Sequence, residues 1–195
     1  MVAAWTLEPR GTILCSMLDR IDPFLKTWRW PALALVAALG MLGAAHAFET
    51  FALLLPCPLC LRQREVYWAV VAMTVTALLL WQVRQNPRFI LAVNIMLGLI
   101  FLTGAIVAAY HAGVEYRFWP APSGCTATVV DMNAIDLSNL NQRQGAPSCM
   151  DDPWKGAYGL SMAGWNMLIS LGLSALSFRA AGVSLPRPGT LSLAE

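Results

Sequence analysis

Charged side chains are scarce in this sequence. Asp, Glu, Lys and Arg make up 12% of its 195 residues, about half the share usual in soluble domains. No cluster of Lys or Arg stands out and the formal net charge is only +2, which excludes nucleic-acid binding as the main role. No internal repeat or low-complexity stretch appears, so repeat arrays are excluded too.

What the chain has instead is apolar length. Apolar residues reach 57%, with 8 Trp and 9 Met, and the mean hydropathy is +0.57. Uncharged runs cover Trp30–Phe48, Val66–Val83, Phe89–Val114 and Gly156–Phe178, of 19, 18, 26 and 23 residues. About 20 apolar residues are enough for a helix to cross the hydrocarbon core. Four runs in so short a chain predict an all-α membrane protein, a four-transmembrane-helix bundle with no separate soluble domain.

Basic residues then give the orientation. Arg10, Arg20, Lys26 and Arg29 precede the first run, Arg84 and Arg88 join the second to the third, and Arg179 and Arg187 follow the fourth. With four spans these three segments share one side, and together they hold eight of the 13 basic residues. The positive-inside rule places both termini in the cytoplasm. Residues 1–29 are then a cytoplasmic tail, residues 30–180 the membrane domain and residues 181–195 a second tail. Spans are expected near 30–50, 62–83, 89–111 and 157–179, with outer loops near 51–61 and 112–156. Residues 31–44 followed by Ala45-His46-Ala47 imitate a cleaved leader, but Glu8, Asp19 and Asp22 do not suit one.

Local signals refine this outline. Pro31 suits a first helical turn. Asn86-Pro87 is a turn signal, so the second and third helices form an antiparallel hairpin. In the long outer loop, Val129, Val130, Met132, Ile135, Leu137 and Leu140 form an apolar side too short to cross. They predict either a short interfacial helix or a loop packed on top of the bundle. Trp28, Trp30, Trp81, Trp119 and Trp154 cluster at run ends, as interfacial anchors do. Asn94 and Asn166, lone amides within spans, suit hydrogen bonds between helices.

Four of the five cysteines, Cys57, Cys60, Cys125 and Cys149, fall on the outer side, while Cys15 lies alone in the first tail as a spare thiol. Disulfides persist where the compartment is oxidising. Cys57-Pro58-Leu59-Cys60 is a C-x-x-C motif just before the expected second helix. Unpaired N–H groups and the positive end of a helix dipole favour a thiolate there, and Arg62 and Arg64 add charge. Leu61 after the motif excludes haem attachment, and a thioredoxin-like motif would need a βαβ context that is absent. An all-cysteine zinc site does not suit the oxidising side, and no metal ion is expected. Cys125 and Cys149, taken alone, read more readily as a structural staple. Beside a second pair at a helix start they suit a relay by thiol–disulfide exchange, with a lipid-soluble acceptor such as a quinone.

The run Leu55-Pro56-Cys57-Pro58-Leu59-Cys60-Leu61-Arg62-Gln63-Arg64 resembles the signature of the bacterial disulfide bond formation protein B (DsbB) family. His111-Ala112-Gly113-Val114-Glu115, Trp119-Pro120 before Cys125, Trp154 after Cys149, and Gly159-Leu160-Ser161-Met162 with Trp165 agree with it. The resemblance implies an inner-membrane, quinone-dependent thiol:disulfide oxidoreductase that reoxidises a periplasmic thioredoxin-fold dithiol oxidase of DsbA type. By this resemblance the disulfides are Cys57–Cys60 and Cys125–Cys149. Cys125 accepts the partner's thiol, Cys149 exchanges with Cys57, and Cys60 is freed as a thiolate beside ubiquinone or menaquinone. Arg64 matches the quinone-contacting arginine. His111 matches a histidine near the quinone but reads equally as a helix-end interfacial residue, and Arg62 is a second anion stabiliser or a snorkelling side chain. Glu65 is placed to pair with a neighbouring arginine. The vitamin K epoxide reductase type is set aside because its C-x-x-C ends the last core helix. The reading from another class is a structural or assembly membrane protein whose two disulfides only brace outer loops.

Overall fold

A computed structural model describes residues 20–83, 85–125, 148–150 and 159–184. Its long elements are four helices, α1 (Arg29–Phe51), α2 (Pro58–Val83), α3 (Pro87–Glu115) and α4 (Met162–Ser184). All four are long and apolar enough to cross a membrane. At about 1.5 Å per residue even the 23-residue helices reach the roughly 30 Å of a hydrocarbon core. The chain is a multi-pass membrane protein. The expected interfacial helix between Cys125 and Cys149, Cys15 and residues 185–195 of the expected C-terminal tail lie outside the described residues.

Helix ends follow local chemistry rather than the limits of the uncharged runs. Helix α2 starts at Pro58, four residues before the expected position 62, because proline suits a first turn and Cys57 caps it. Asn86 caps α3 by accepting the Arg88 N–H at 2.9 Å, with Pro87 in the first turn. Helix α3 continues past the expected position 111 to Glu115. It ends in a paired cap, with Phe118 N–H donating to Gly113 O and Arg117 N–H to Val114 O, while Arg117 takes a left-handed φ of 61°. Helix α4 starts at Met162, later than the expected 157, because Ser161 Oγ accepts the Gly164 N–H at 3.1 Å. It continues past Arg179 to Ser184.

Helices α3 and α4 make the closest pair. Helix α4 turns a stripe of small residues, Ala163, Ser170, Ser174, Ser177 and Ala181, inward. Facing it, α3 presents Gly98, Gly104, Ala105 and Ala108. Small residues let backbones approach where lipid offers no hydrophobic drive between helices. The Ser174 hydroxyl reaches Gly98 O at 2.9 Å. Ala34, Ala38, Leu42, Tyr67, Val70, Leu97 and Phe101 bring α1 and α2 onto the same core. At the other end, Trp30 Nε1–H donates to Ser177 Oγ at 3.2 Å and Arg179 pairs with Asp22 at 2.9 Å, docking residues 20–28 on α4. Asn94 departs from expectation. It is fully buried on α3, but its amide atoms find no hydrogen-bond partner among the described residues.

Candidate active site

The site forms at the end of the bundle where α2 begins and α3 ends. Cys57 occupies the cap position of α2, where its Sγ accepts the Cys60 N–H at 3.2 Å and its carbonyl starts the helix by accepting Leu61 N–H. Cys60 is therefore inside the first turn rather than ahead of the helix. The two sulfurs are 2.9 Å apart and not joined, well beyond a bond of about 2.05 Å. The expected Cys57–Cys60 bond is not formed in this structure, but the two sulfurs face each other across that short gap. The thiol of Cys57 is held below its ordinary range by the hydrogen bond shared with Cys60. Burial opposes this, and His111 adds to it through a hydrogen bond.

His111 is one turn inside α3 and 3% exposed, so it is no interfacial residue. Its Nε2 lies 3.6 Å from Cys57 Sγ and 3.5 Å from Glu115 Oε1. Its Nδ1 lies 2.7 Å from Gln63 Nε2, which makes that nitrogen the acceptor and leaves the ring proton on Nε2. Gln63 Oε1 accepts from Asn166 Nδ2, and Asn166 Oδ1 accepts from the Tyr67 hydroxyl, which also meets Ser170 at 3.0 Å. A buried polar chain therefore runs from the sulfurs through α2, α3 and α4. Asn166 bridges helices as expected. Gln63 and Tyr67 carry no sequence signal of their own, and only the register of α2 shows that they share the buried face.

The second pair comes to the same place. Cys125 and Cys149 are joined, with Cα atoms 5.1 Å apart and a Cys149 N–H to Cys125 O bond of 3.0 Å. Cys57, Val114, Cys125 and Cys149 form one buried cluster, with the three cysteines 4%, 1% and 0% exposed. The turn after α3 explains how. Trp119 folds back over Gly113, stacks on Tyr110 at 6.1 Å and donates its Nε1–H to Tyr110 O at 2.9 Å. This returns Ala121 and Cys125 to Val114 and Cys57.

On the other side of α2 a cavity of about 500 Å³ opens. Met41, Leu42, Phe48, Leu54, Leu55 and Trp165 make it apolar, and Cys60, Gln63, Arg64 and Asn166 supply its polar wall. Arg64 lines it, but its charge is already matched. Nη1 bonds Glu49 Oε2 at 2.6 Å and Nη2 bonds Ala45 O at 3.3 Å. Arg62 does not reach this cavity. It pairs with Glu65 at 2.9 Å on an exposed face and lines a separate cavity between α2 and α3. His111 does not line the Cys60 cavity and instead contacts the sulfurs directly. Neither arginine supplies the uncompensated charge expected beside the motif. The α2 N-terminus and His111 act on Cys57 in their place.

The family model described as Disulfide bond formation protein DsbB matches residues 27–180. The chain belongs to the DsbB family. The match takes in the first three helices, most of α4, and Cys57, Cys60, Cys125 and Cys149. The chain is 33% identical over 143 residues to Disulfide bond formation protein B of Nitrosomonas eutropha, covering 70% of this chain and 83% of that protein. The proteins of that name from Nitrosomonas europaea and Nitrosospira multiformis are 29% and 28% identical, over 74% and 71% of this chain and 87% and 81% of theirs. No solved structure matches the chain. It is therefore a disulfide bond formation membrane protein, with the thiol oxidoreductase role the DsbB name carries.

Proposed function

We propose that this DsbB-family protein accepts two electrons from a periplasmic thioredoxin-fold dithiol of DsbA type and passes them to a quinone in the inner membrane. One observation carries the reading: both cysteine pairs meet in one buried cluster, and Cys60 alone of the four also faces the apolar cavity. Termini in the cytoplasm and the cysteine loops in the periplasm follow from the distribution of Arg and Lys.

The exchange steps balance. A partner thiolate attacks Cys125, the Cys125–Cys149 bond breaks and Cys149 leaves as a thiolate. The second partner thiol then closes the partner's own disulfide and releases Cys125. Cys149 attacks Cys57 of an oxidised Cys57–Cys60 pair and frees Cys60. Cys125 then closes on Cys149 and releases Cys57. The result is one joined outer pair and one reduced inner pair. Cys57 suits release as a thiolate because the α2 N-terminus and His111 stabilise it.

The cavity fits a quinone. About 500 Å³ lies within the ordinary range for small-molecule sites, and apolar walls with a few polar groups suit a dione ring on a prenyl tail. A bound quinone supplies the acceptor for two electrons and two protons, which leaves Cys57 and Cys60 as a disulfide. Around it Gln63, Asn166 and Arg64 offer N–H donors, and Leu54, Leu55 and Phe48 exclude water. Arg64 divides its guanidinium between Glu49 and the cavity, so it orients an oxygen more than it adds net charge.

The test is quinone reduction by purified protein in detergent, with a reduced thioredoxin-fold oxidase as donor and ubiquinone absorbance as readout. Turnover should vanish in Cys60→Ser. No turnover with ubiquinone or menaquinone, with all four outer cysteines intact, would favour two bracing disulfides instead.

A further inference from the structure

Cys57, Cys60 and His111 make up a donor set of a different kind. Their Sγ, Sγ and Nε2 atoms all lie within 4.8 Å of one another. Two thiols and an imidazole are the donors that zinc and its thiophilic relatives select. With Zn–S of about 2.3 Å and Zn–N of about 2.05 Å, a tetrahedral site has S···N edges of about 3.6 Å and S···S edges of about 3.8 Å. The Cys57 Sγ to His111 Nε2 distance is already 3.6 Å. The sulfurs, at 2.9 Å, must open by about 0.9 Å, and the half-buried Cys60 borders a cavity into which it can turn. Glu115 Oε1 lies 3.5 Å from the same imidazole nitrogen.

We propose that the reduced Cys57–Cys60 pair and His111 form a binding site for a thiophilic divalent cation of the zinc class, present only in the reduced protein. Binding forms two metal–thiolate bonds and one metal–nitrogen bond and sends the remaining thiol protons to solvent. No electrons move. Closing the Cys57–Cys60 disulfide removes both thiolates from the donor set, so an occupied site and a completed redox cycle exclude each other. The cation is thereby a brake on the reduced form. The brake rests on the proposed function, whereas the binding rests on the donor geometry alone.

The surroundings of His111 give the proposal a second edge. A metal on Nε2 requires the ring proton on Nδ1, and that N–H then needs an acceptor. Gln63 now presents its NH2 there, so its amide must turn over, and Asn166 behind it must turn as well. A carboxylate at position 63 would accept the proton without that rearrangement.

The test uses the full-length Cys15→Ser/Cys125→Ser/Cys149→Ser chain in detergent, so that only Cys57 and Cys60 remain. The reduced protein is titrated with Cd²⁺ alone, and thiolate-to-cadmium absorbance is followed in the ultraviolet. One ion should bind per chain, and none after Cys57 and Cys60 are oxidised to a disulfide. His111→Ala should weaken binding by ~10-fold or more, and Gln63→Glu should tighten it by ~10-fold, the size usual for changes around a metal ligand. In reduced wild-type protein Zn²⁺ should shield Cys57 and Cys60, but not Cys15, from maleimide in peptide mass maps. Binding to the oxidised protein, or equal affinity in His111→Ala, would overturn the site. A protein that binds Cd²⁺ yet never reduces quinone would keep the site and remove its role as a brake.

Discussion

The sulfur of Cys57 accepts the Cys60 backbone N–H at 3.2 Å and faces His111 Nε2 at 3.6 Å. The hydrogen bonds from Cys60, and after them His111, hold its thiol below the ordinary range against the opposing effect of burial. The sign follows from linkage. A depressed acid contributes its full stabilisation above the unfolded value of about 8.5, and the contribution fades as pH falls toward the native value. The reduced fold should therefore lose stability on acidification through that window. Alkylation of Cys57 by iodoacetamide should show a pH midpoint below about 8.5, shifted upward in His111→Ala. Equal midpoints in the two proteins would contradict the assignment. Cys57, Cys60 and Arg64 are legible in the sequence because a short motif carries them. Gln63, Tyr67 and Glu49 are not, because their roles depend on which face of a helix they share, and helices apolar on every side reveal no register. The acid expected beside an arginine was Glu65, and it does pair with Arg62. The acid that matches Arg64 is Glu49, 15 residues away on α1.

Helices explain which substitutions the bundle tolerates. A Cβ at Gly113 would overlap the Trp119 ring, and that ring is fixed by its bond to Tyr110 O and its stacking on Tyr110. Gly113→Ala should cost about 1–3 kcal/mol, as overpacking does, and should loosen Cys125 from Cys57. A Cβ at Gly98 would lie 2.8 Å from the Phe178 ring, but Phe178 is 39% exposed and can swing outward. Gly98→Ala should cost less than about 1 kcal/mol. Thermal unfolding in detergent ranks the two, and an equal or reversed order would contradict this account of the α3 end. At this scale the four spans are legible, because 18 or more uncharged residues have few other homes. The ends are less so. Counting uncharged residues misses Ser161 as the cap of α4 and Cys57 as the cap of α2, since a cap is one side chain and leaves no mark on hydropathy.

On the proposed function the two cysteine pairs divide the work between a partner and the membrane, and single substitutions should separate the halves. Cys125→Ser should fail with a protein donor but still reduce quinone from a small dithiol that reaches Cys57 and Cys60. Cys60→Ser should still trap the partner at Cys125 as a mixed disulfide, with quinone reduction lost. Cys15→Ser should behave as wild type. Gel mobility of the mixed disulfide and quinone absorbance read the two halves independently, and a Cys60→Ser protein that turns over would sink the division. The bundle and the four cysteines set between its spans are legible from composition and spacing. Their meeting in one cluster is not, because the cap of α3 and the fold-back of Trp119 set it. The burial of Cys125 and Cys149, at 1% and 0%, has a consequence for leakage. A disulfide that water scarcely touches is insulated from dissolved small thiols, which must meet a sulfur along the bond axis to break it. On the proposed function, oxidising power stored there drains to a molecule able to lift Cys125 away from Val114. Selectivity is thus built into how the charge is kept as well as into who docks to collect it.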